Sequence, residues 1–168
     1  MILIYEATRA ATYADLLKRL IPNSADYTLI PCNTREEAAR AIGEADILFS
    51  WRFPPDLLPR ARRLRWIQAM GAGVEDLVAA PVPEGVLVTR VEGLFGAAMS
   101  EYAFAHMLAH AQQLPRLYAA QAARRWEPFT AETLWGKRLG VAGVGSIGGA
   151  VAARGRAFGM EVWGLART

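Results

Sequence analysis

The sequence predicts an α/β fold in two parts. Three features carry that reading. Short apolar runs alternate with helix-period segments from the first residue; one long helical stretch lies in the middle; and a strand, a glycine-rich turn and a helix follow one another near the C-terminal end. Strands spaced by helices in this way form mostly parallel sheets, because each crossover helix lies back over a sheet face.

The first strand is the apolar run at residues 2–5. Tyr13, Leu16, Leu17 and Leu20 then recur at the i, i+3, i+4, i+7 positions of a helix, which Pro22 and Asn23 close. A second strand is expected at residues 27–30. Thr34, followed three residues later by Glu37, forms a capping box that opens a helix over residues 35–42. Strands at residues 47–50, 65–69 and 87–89 bring the total to five, enough for one small sheet over residues 1–97. A long helix is expected from residue 98 to about 114, with a break at Pro115 before a continuation toward residue 125. After a polar stretch, residues 138–142, 147–158 and 161–165 read as strand, helix and strand. Residues 98–168 therefore hold one β-α-β unit, whereas a dinucleotide-binding sheet is built from two β-α-β-α-β halves.

Composition narrows the function classes. With 53% hydrophobic and 21% charged residues the chain suits a globular fold and not a disordered one. The net charge is only +3 and much of the arginine sits in the run at residues 60–65, read as a solvated face, so no nucleic-acid partner is expected. A single cysteine, Cys32, excludes an internal disulfide and fits a reducing, cytoplasmic setting. The N-terminus lacks a charged leader with a long apolar core, and the apolar stretch at residues 97–111 is interrupted by Ser100, Glu101, His106 and His110, so no membrane segment is expected.

The strongest local signal is Gly143-Val144-Gly145-Ser146-Ile147-Gly148, which follows an apolar strand and opens a helix. Gly143 permits the tight turn, Gly145 lets the backbone approach a pyrophosphate, and Gly148 allows close packing of helix on strand. The N–H groups of Ser146 and Ile147 at the helix start then face the phosphates. The alternative is a glycine-rich turn that binds nothing. Where NAD-binding folds carry a ribose-binding carboxylate, this sequence reads Leu165-Ala166-Arg167-Thr168. Without that carboxylate, and with a guanidinium able to pair with a 2′-phosphate, NADP(H) is favoured over NAD(H), Arg167 and Thr168 being the contacts; the alternative is a solvated strand-end charge. His106 and His110 stand four apart, but Met107 lies where a metalloprotease pattern needs glutamate and no third ligand is evident, so they read as packed side chains. Glu75 and Asp76 read as first-turn helix charges.

Three ordered segments together are similar to one family. Residues 134–140 (Leu-Trp-Gly-Lys-Arg-Leu-Gly) running into the glycine turn, with Ala157-Phe158-Gly159-Met160 after it, resemble the D-isomer-specific 2-hydroxyacid dehydrogenases. Residues 64–74 look like that family's substrate loop, and Val91-Glu92-Gly93-Leu94-Phe95-Gly96 to Ser100-Glu101-Tyr102 like its interdomain crossing. Within the family, Ser50-Trp51-Arg52-Phe53-Pro54-Pro55 most resembles the glyoxylate and hydroxypyruvate reductases.

The resemblance implies a flavodoxin-like substrate domain at residues 1–97, followed by an interdomain helix and an incomplete Rossmann domain. It implies hydride transfer between NAD(P)H and a small 2-oxo or 2-hydroxy acid, in a homo-oligomer, a dimer. Met70, Gly71, Ala72, Gly73 and Val74 would then receive the substrate carboxylate on backbone N–H groups, with Trp51 as an apolar wall and Arg52 as an anion partner. Read without the resemblance, these are a tight strand-to-helix turn, and a buried aromatic beside a solvated cation. The family's catalytic arginine, acid and histidine follow the second strand of the nucleotide domain, and no residue here matches them. The chain is thus expected to be a truncated form, inactive by itself. Two other classes stay open: a non-enzymatic module that senses dinucleotide, as corepressors of this fold do, and an inert truncation product.

Overall fold

The computed structural model describes residues 1–166. Two compact units divide between Val91 and Glu92, ahead of the long helix.

The first unit is a five-stranded sheet of order β2-β1-β3-β4-β5, every pair parallel. Its strands are β1 (Ile2–Tyr5), β2 (Leu29–Cys32), β3 (Ile47–Ser50), β4 (Trp66–Ala69) and β5 (Leu87–Thr89). This is the flavodoxin-like order. Four of the strands fall where the sequence places them, to within a residue. The second starts two residues late: pairing of Ile2 with Leu29 through Tyr5 with Cys32 sets its register, and β2 carries Pro31 because an edge strand tolerates a lost N–H donor.

Alternation along the strands loads both faces. Leu3, Leu48 and Ile67 meet Ala38, Ile42, Leu57 and Leu58 on one side, while Ile2 and Ile4 meet Ala10 and Ala14 on the other. Those alanines belong to α1 (Ala10–Leu20) and α2 (Arg35–Ala41). The capping box forms as the sequence predicts: Glu37 N–H donates to Thr34 Oγ1 at 3.2 Å, and the Glu37 carboxylate accepts from the Asn33 and Thr34 N–H groups at 2.8 and 3.2 Å. The helix after β4, α3 (Glu75–Val78), is a single turn. In the basic run, Arg63 reaches Glu44 at 3.2 Å and Asp46 at 3.4 Å, pairs of small value at an exposed surface.

The second unit contains α4 (Gly96–Ala111), α5 (Leu114–Ala122), β6 (Arg138–Ala142), α6 (Ser146–Ala157) and β7 (Glu161–Leu165). The long helix ends at Ala111, and Gln113, the N-cap of α5, has a left-handed φ of 52°; Pro115 then sits in the first turn of α5, where its missing N–H costs nothing. Strands β6 and β7 pair in parallel. Helix α6 packs on them through Gly155, where a Cβ would stand 2.7 Å from Leu139 Cδ2 and 3.0 Å from Val162 Cγ2. Phe104 of α4 stacks on Phe158 at the end of α6, ring centroids 5.0 Å apart. His106 lies edge-on to Tyr102, and among the described residues no group of three or more His, Cys, Asp or Glu could hold a metal. No helix among them is long and apolar enough to cross a membrane.

The capping box gives a direct test of the first unit. Thr34→Ala is expected to lower its stability by about 1 kcal/mol in urea unfolding, and a change within about 0.3 kcal/mol would show that the cap is dispensable.

Candidate functional site

In a parallel sheet of this order the crossovers leave on opposite faces at β1 and β3, so a crevice opens beyond the C-terminal ends of those strands. Two cavities lie there. One is lined by Ser50, Trp51, Arg52, Ala69, Gly71, Gly73, Val74 and the first turn of α3; its neighbour is lined by Glu6, Arg9, Tyr13, Trp51 and Met70. Of the sequence-predicted residues, Trp51, Arg52, Gly71, Gly73 and Val74 thus share one cavity. Met70 faces the other, and the Ala72 carbonyl instead accepts from Arg90 Nη1 at 3.1 Å.

Trp51 borders both cavities and is 49% exposed, so it is a wall of the crevice and not a core aromatic. Its indole lies on the loop because residue 71 is glycine: a Cβ there would sit 2.6 Å from Trp51 Cζ3. Arg52 follows with φ of 51°, a left-handed conformation that costs a non-glycine residue about 1–2 kcal/mol. Strain of this kind collects at ligand-binding positions. The Gly71 carbonyl accepts from Val91 N–H at 3.2 Å, whereas the N–H groups of Gly71, Ala72 and Gly73 donate to no backbone carbonyl among the described residues. The loop therefore engages two of its acceptors and leaves donors available.

Three groups in this cavity lie outside the residues singled out as ligand contacts. Glu75 and Asp76, read as helix charges, line it, and Glu75 Oε2 lies so close that a Cβ on Gly73 would meet it at 2.9 Å. Ser50 is 3% exposed, and its Oγ is the one buried side-chain oxygen or nitrogen among the described residues without a hydrogen-bond partner. An unsatisfied hydroxyl costs about 1–3 kcal/mol. A serine ending an apolar strand was the available signal. At the end of β1, the Thr8 N–H holds the Glu6 carboxyl below the usual carboxylate range, with the Arg9 N–H adding to it.

The glycine turn lies in the second unit. Gly143 has φ of 93°, and its N–H donates to the Leu165 carbonyl at 2.8 Å, which ties the turn to β7. Gly148 is forced by packing: a Cβ would fall 1.9 Å from the Gly143 oxygen and 3.1 Å from Val141 Cγ1. Among the described residues nothing lies within 4 Å of a Cβ built on Gly145, which leaves the space over the turn open to them. Gly145 is the N-cap of α6; no side chain among the described residues caps the helix, and no acidic residue occupies its first turn. Ser146 and Ile147 begin that turn, so their N–H groups precede the first intrahelical acceptors. An open approach, uncapped donors and absence of negative charge are what a pyrophosphate requires, and the residues present fit a dinucleotide. Arg167 and Thr168, expected at the 2′-phosphate, lie outside the described residues.

Comparison with known proteins agrees with this geometry. Residues 104–168 match the model of the D-isomer specific 2-hydroxyacid dehydrogenase NAD binding domain. The chain is 32% identical over 137 residues to a D-3-phosphoglycerate dehydrogenase of Methanocaldococcus jannaschii, covering 78% of this chain and 26% of that protein. It is 35% identical over 135 residues to a glyoxylate reductase of Aeropyrum pernix, covering 71% and 39%. A solved D-isomer specific 2-hydroxyacid dehydrogenase family protein from Aeromonas salmonicida superposes with a TM-score of 0.81 at 35% identity, over 97% of this chain and 52% of that one. The chain spans about half the length of that structure and less of the other two relatives, and within that span it belongs to the D-isomer specific 2-hydroxyacid dehydrogenase family.

Proposed function

We propose that this chain supplies the acid-binding loop and the pyrophosphate-binding turn of a reductase that converts a small 2-oxo acid, such as glyoxylate or hydroxypyruvate, into the 2-hydroxy acid. The observation that carries the reading is the turn at residues 143–148, open at Gly145, uncapped and free of acidic side chains, inside the segment that matches an NAD binding domain. A bound nicotinamide supplies the hydride. The chain's own residues bind and orient.

The N–H groups of Gly145, Ser146, Ile147 and Gly148 take the pyrophosphate. In the first unit, the N–H groups of Gly71, Ala72 and Gly73 take the substrate carboxylate, with the Arg52 guanidinium as counter-charge and the Trp51 indole excluding water from one side. Met70 and Val74 flank that loop. Because α3 is one turn long, its dipole adds little, and the loop donors carry the anion. NADP(H) is the preferred cofactor in this reading, since Ala166 leaves no carboxylate to repel a 2′-phosphate and Arg167 offers an ion pair. The lone cysteine supports a cytoplasmic setting, and Leu117, Tyr118 and Trp126, exposed on the second unit, support a homodimer. The proton donor is proposed to come from sequence outside these 168 residues, since both histidines lie on α4, ahead of the glycine turn. By itself the chain is therefore expected to bind both ligands without turnover.

Two glycines separate binding from folding. Gly145→Val should leave the melting temperature nearly unchanged, because its Cβ enters open space, yet weaken NADPH binding at least about tenfold in a fluorescence titration. Gly148→Val should instead destabilise the second unit by about 3 kcal/mol or more, because its Cβ meets backbone. Normal NADPH binding by a folded Gly145→Val variant would refute the assignment.

The cofactor preference is tested at the strand end. Arg167→Ala should weaken NADPH about tenfold and NADH less than about twofold, as loss of one charge-assisted contact to the 2′-phosphate requires. Equal losses for both would remove Arg167 from the site.

A further inference from the structure

We propose that Ser50 is a specificity residue of the cavity beside β3 and β4, selecting 2-oxo acids that carry a hydroxyl on the third carbon over those with hydrogen or a phosphoryl group there. The inference rests on the reading that residues 71–73 hold the acid's carboxylate.

Ser50 ends β3, lines the cavity and is almost fully buried, with no partner for its Oγ among the described residues. Its strand neighbours do not supply one. Ala69, paired with it on β4, has no polar side-chain atom, and Tyr5, paired with it on β1, packs its ring edge-on against Phe53 at 5.3 Å. The Ser50 carbonyl is engaged by Met70 N–H at 2.9 Å, which fixes the backbone and leaves the hydroxyl as the free polar group. A buried, unpaired hydroxyl on a residue that lines a cavity discriminates strongly once rotation about the Cα–Cβ bond presents it to a ligand, because a ligand that cannot pair with it leaves it unsatisfied.

The charges around it set what the ligand can be. Arg52 is the cation lining this cavity, against the carboxylates of Glu75 and Asp76. A monoanionic acid uses the guanidinium and the loop donors, while a phosphoryl group adds negative charge beside two carboxylates. The cavity, about 190 Å³, suits an acid of a few carbons.

The test is an NMR-monitored titration of the 168-residue chain with hydroxypyruvate, pyruvate and phosphohydroxypyruvate, repeated on Ser50→Ala and Ser50→Thr. The wild-type chain should bind hydroxypyruvate about fivefold to tenfold more tightly than pyruvate, and phosphohydroxypyruvate more weakly than either, with shifts at the amides of Gly71, Ala72 and Gly73. Ser50→Ala should bring hydroxypyruvate and pyruvate within about twofold of each other while leaving pyruvate affinity unchanged, and Ser50→Thr should restore the preference. Ser50→Ala should also melt at or above the wild-type temperature; a clear drop would show that the hydroxyl serves the fold and overturn the proposal. If hydroxypyruvate and pyruvate bind wild type equally through the loop amides, the Ser50 inference fails and the acid-binding reading stands. If no acid shifts those amides, that reading fails and the inference with it.

Discussion

Parallel pairing of the strands is the constraint from which the rest of the structure follows. It points every C-terminal strand end in one sheet the same way, so the loops that leave those ends gather at one edge, each starting from a backbone the sheet holds rigid. In the first unit this sets the Ser50-Trp51-Arg52 turn beside the loop after β4, sequence neighbours of strands that are paired residue by residue. In the second it places the glycine turn against the end of β7 through one hydrogen bond from Gly143 to Leu165. Both sets of candidate ligand contacts are thus products of strand pairing more than of local sequence.

Glycine does two different jobs at these edges. At residues 71 and 148 it removes an atom that would collide, with the Trp51 indole in one case and the Gly143 carbonyl in the other. At residue 145 the space is free, so a side chain would fit the chain but occupy the approach to the turn. A single fingerprint thus mixes a glycine that packing requires, at residue 148, with one that packing does not require, at residue 145. Arg52 shows the converse, a long side chain kept in a left-handed conformation that glycine would adopt without cost.

Most of the fold was legible because strand-length apolar runs and the capping box are local signals. The second strand was placed early because Tyr27 and Thr28 look like strand residues, and only pairing with β1 decides that β2 begins at Leu29. The break after α4 was signalled by Pro115, but the turn itself uses Gln113, a residue type with no marked left-handed preference. The site was less legible than the fold. Trp51 and Arg52 stood out by chemistry, yet whether Trp51 is core or wall depends on Gly71, which comes near it only through the β3–β4 pairing. Ser50 was visible as a letter; its burial without a partner depends on Ala69 across the strand, and no local pattern reports that.

The central claim is that backbone N–H groups at a strand end, and not a charged side chain, receive the pyrophosphate of the dinucleotide. Its most direct test is amide chemical-shift mapping of the isolated chain with inorganic pyrophosphate, which carries no base or sugar. Saturable shifts are expected at Gly145, Ser146, Ile147 and Gly148, and they should persist when Arg154 and Arg156, the basic residues in the last turn of α6, are replaced by glutamine. Shifts confined to other regions, or shifts at the turn that vanish with those arginines, would contradict it.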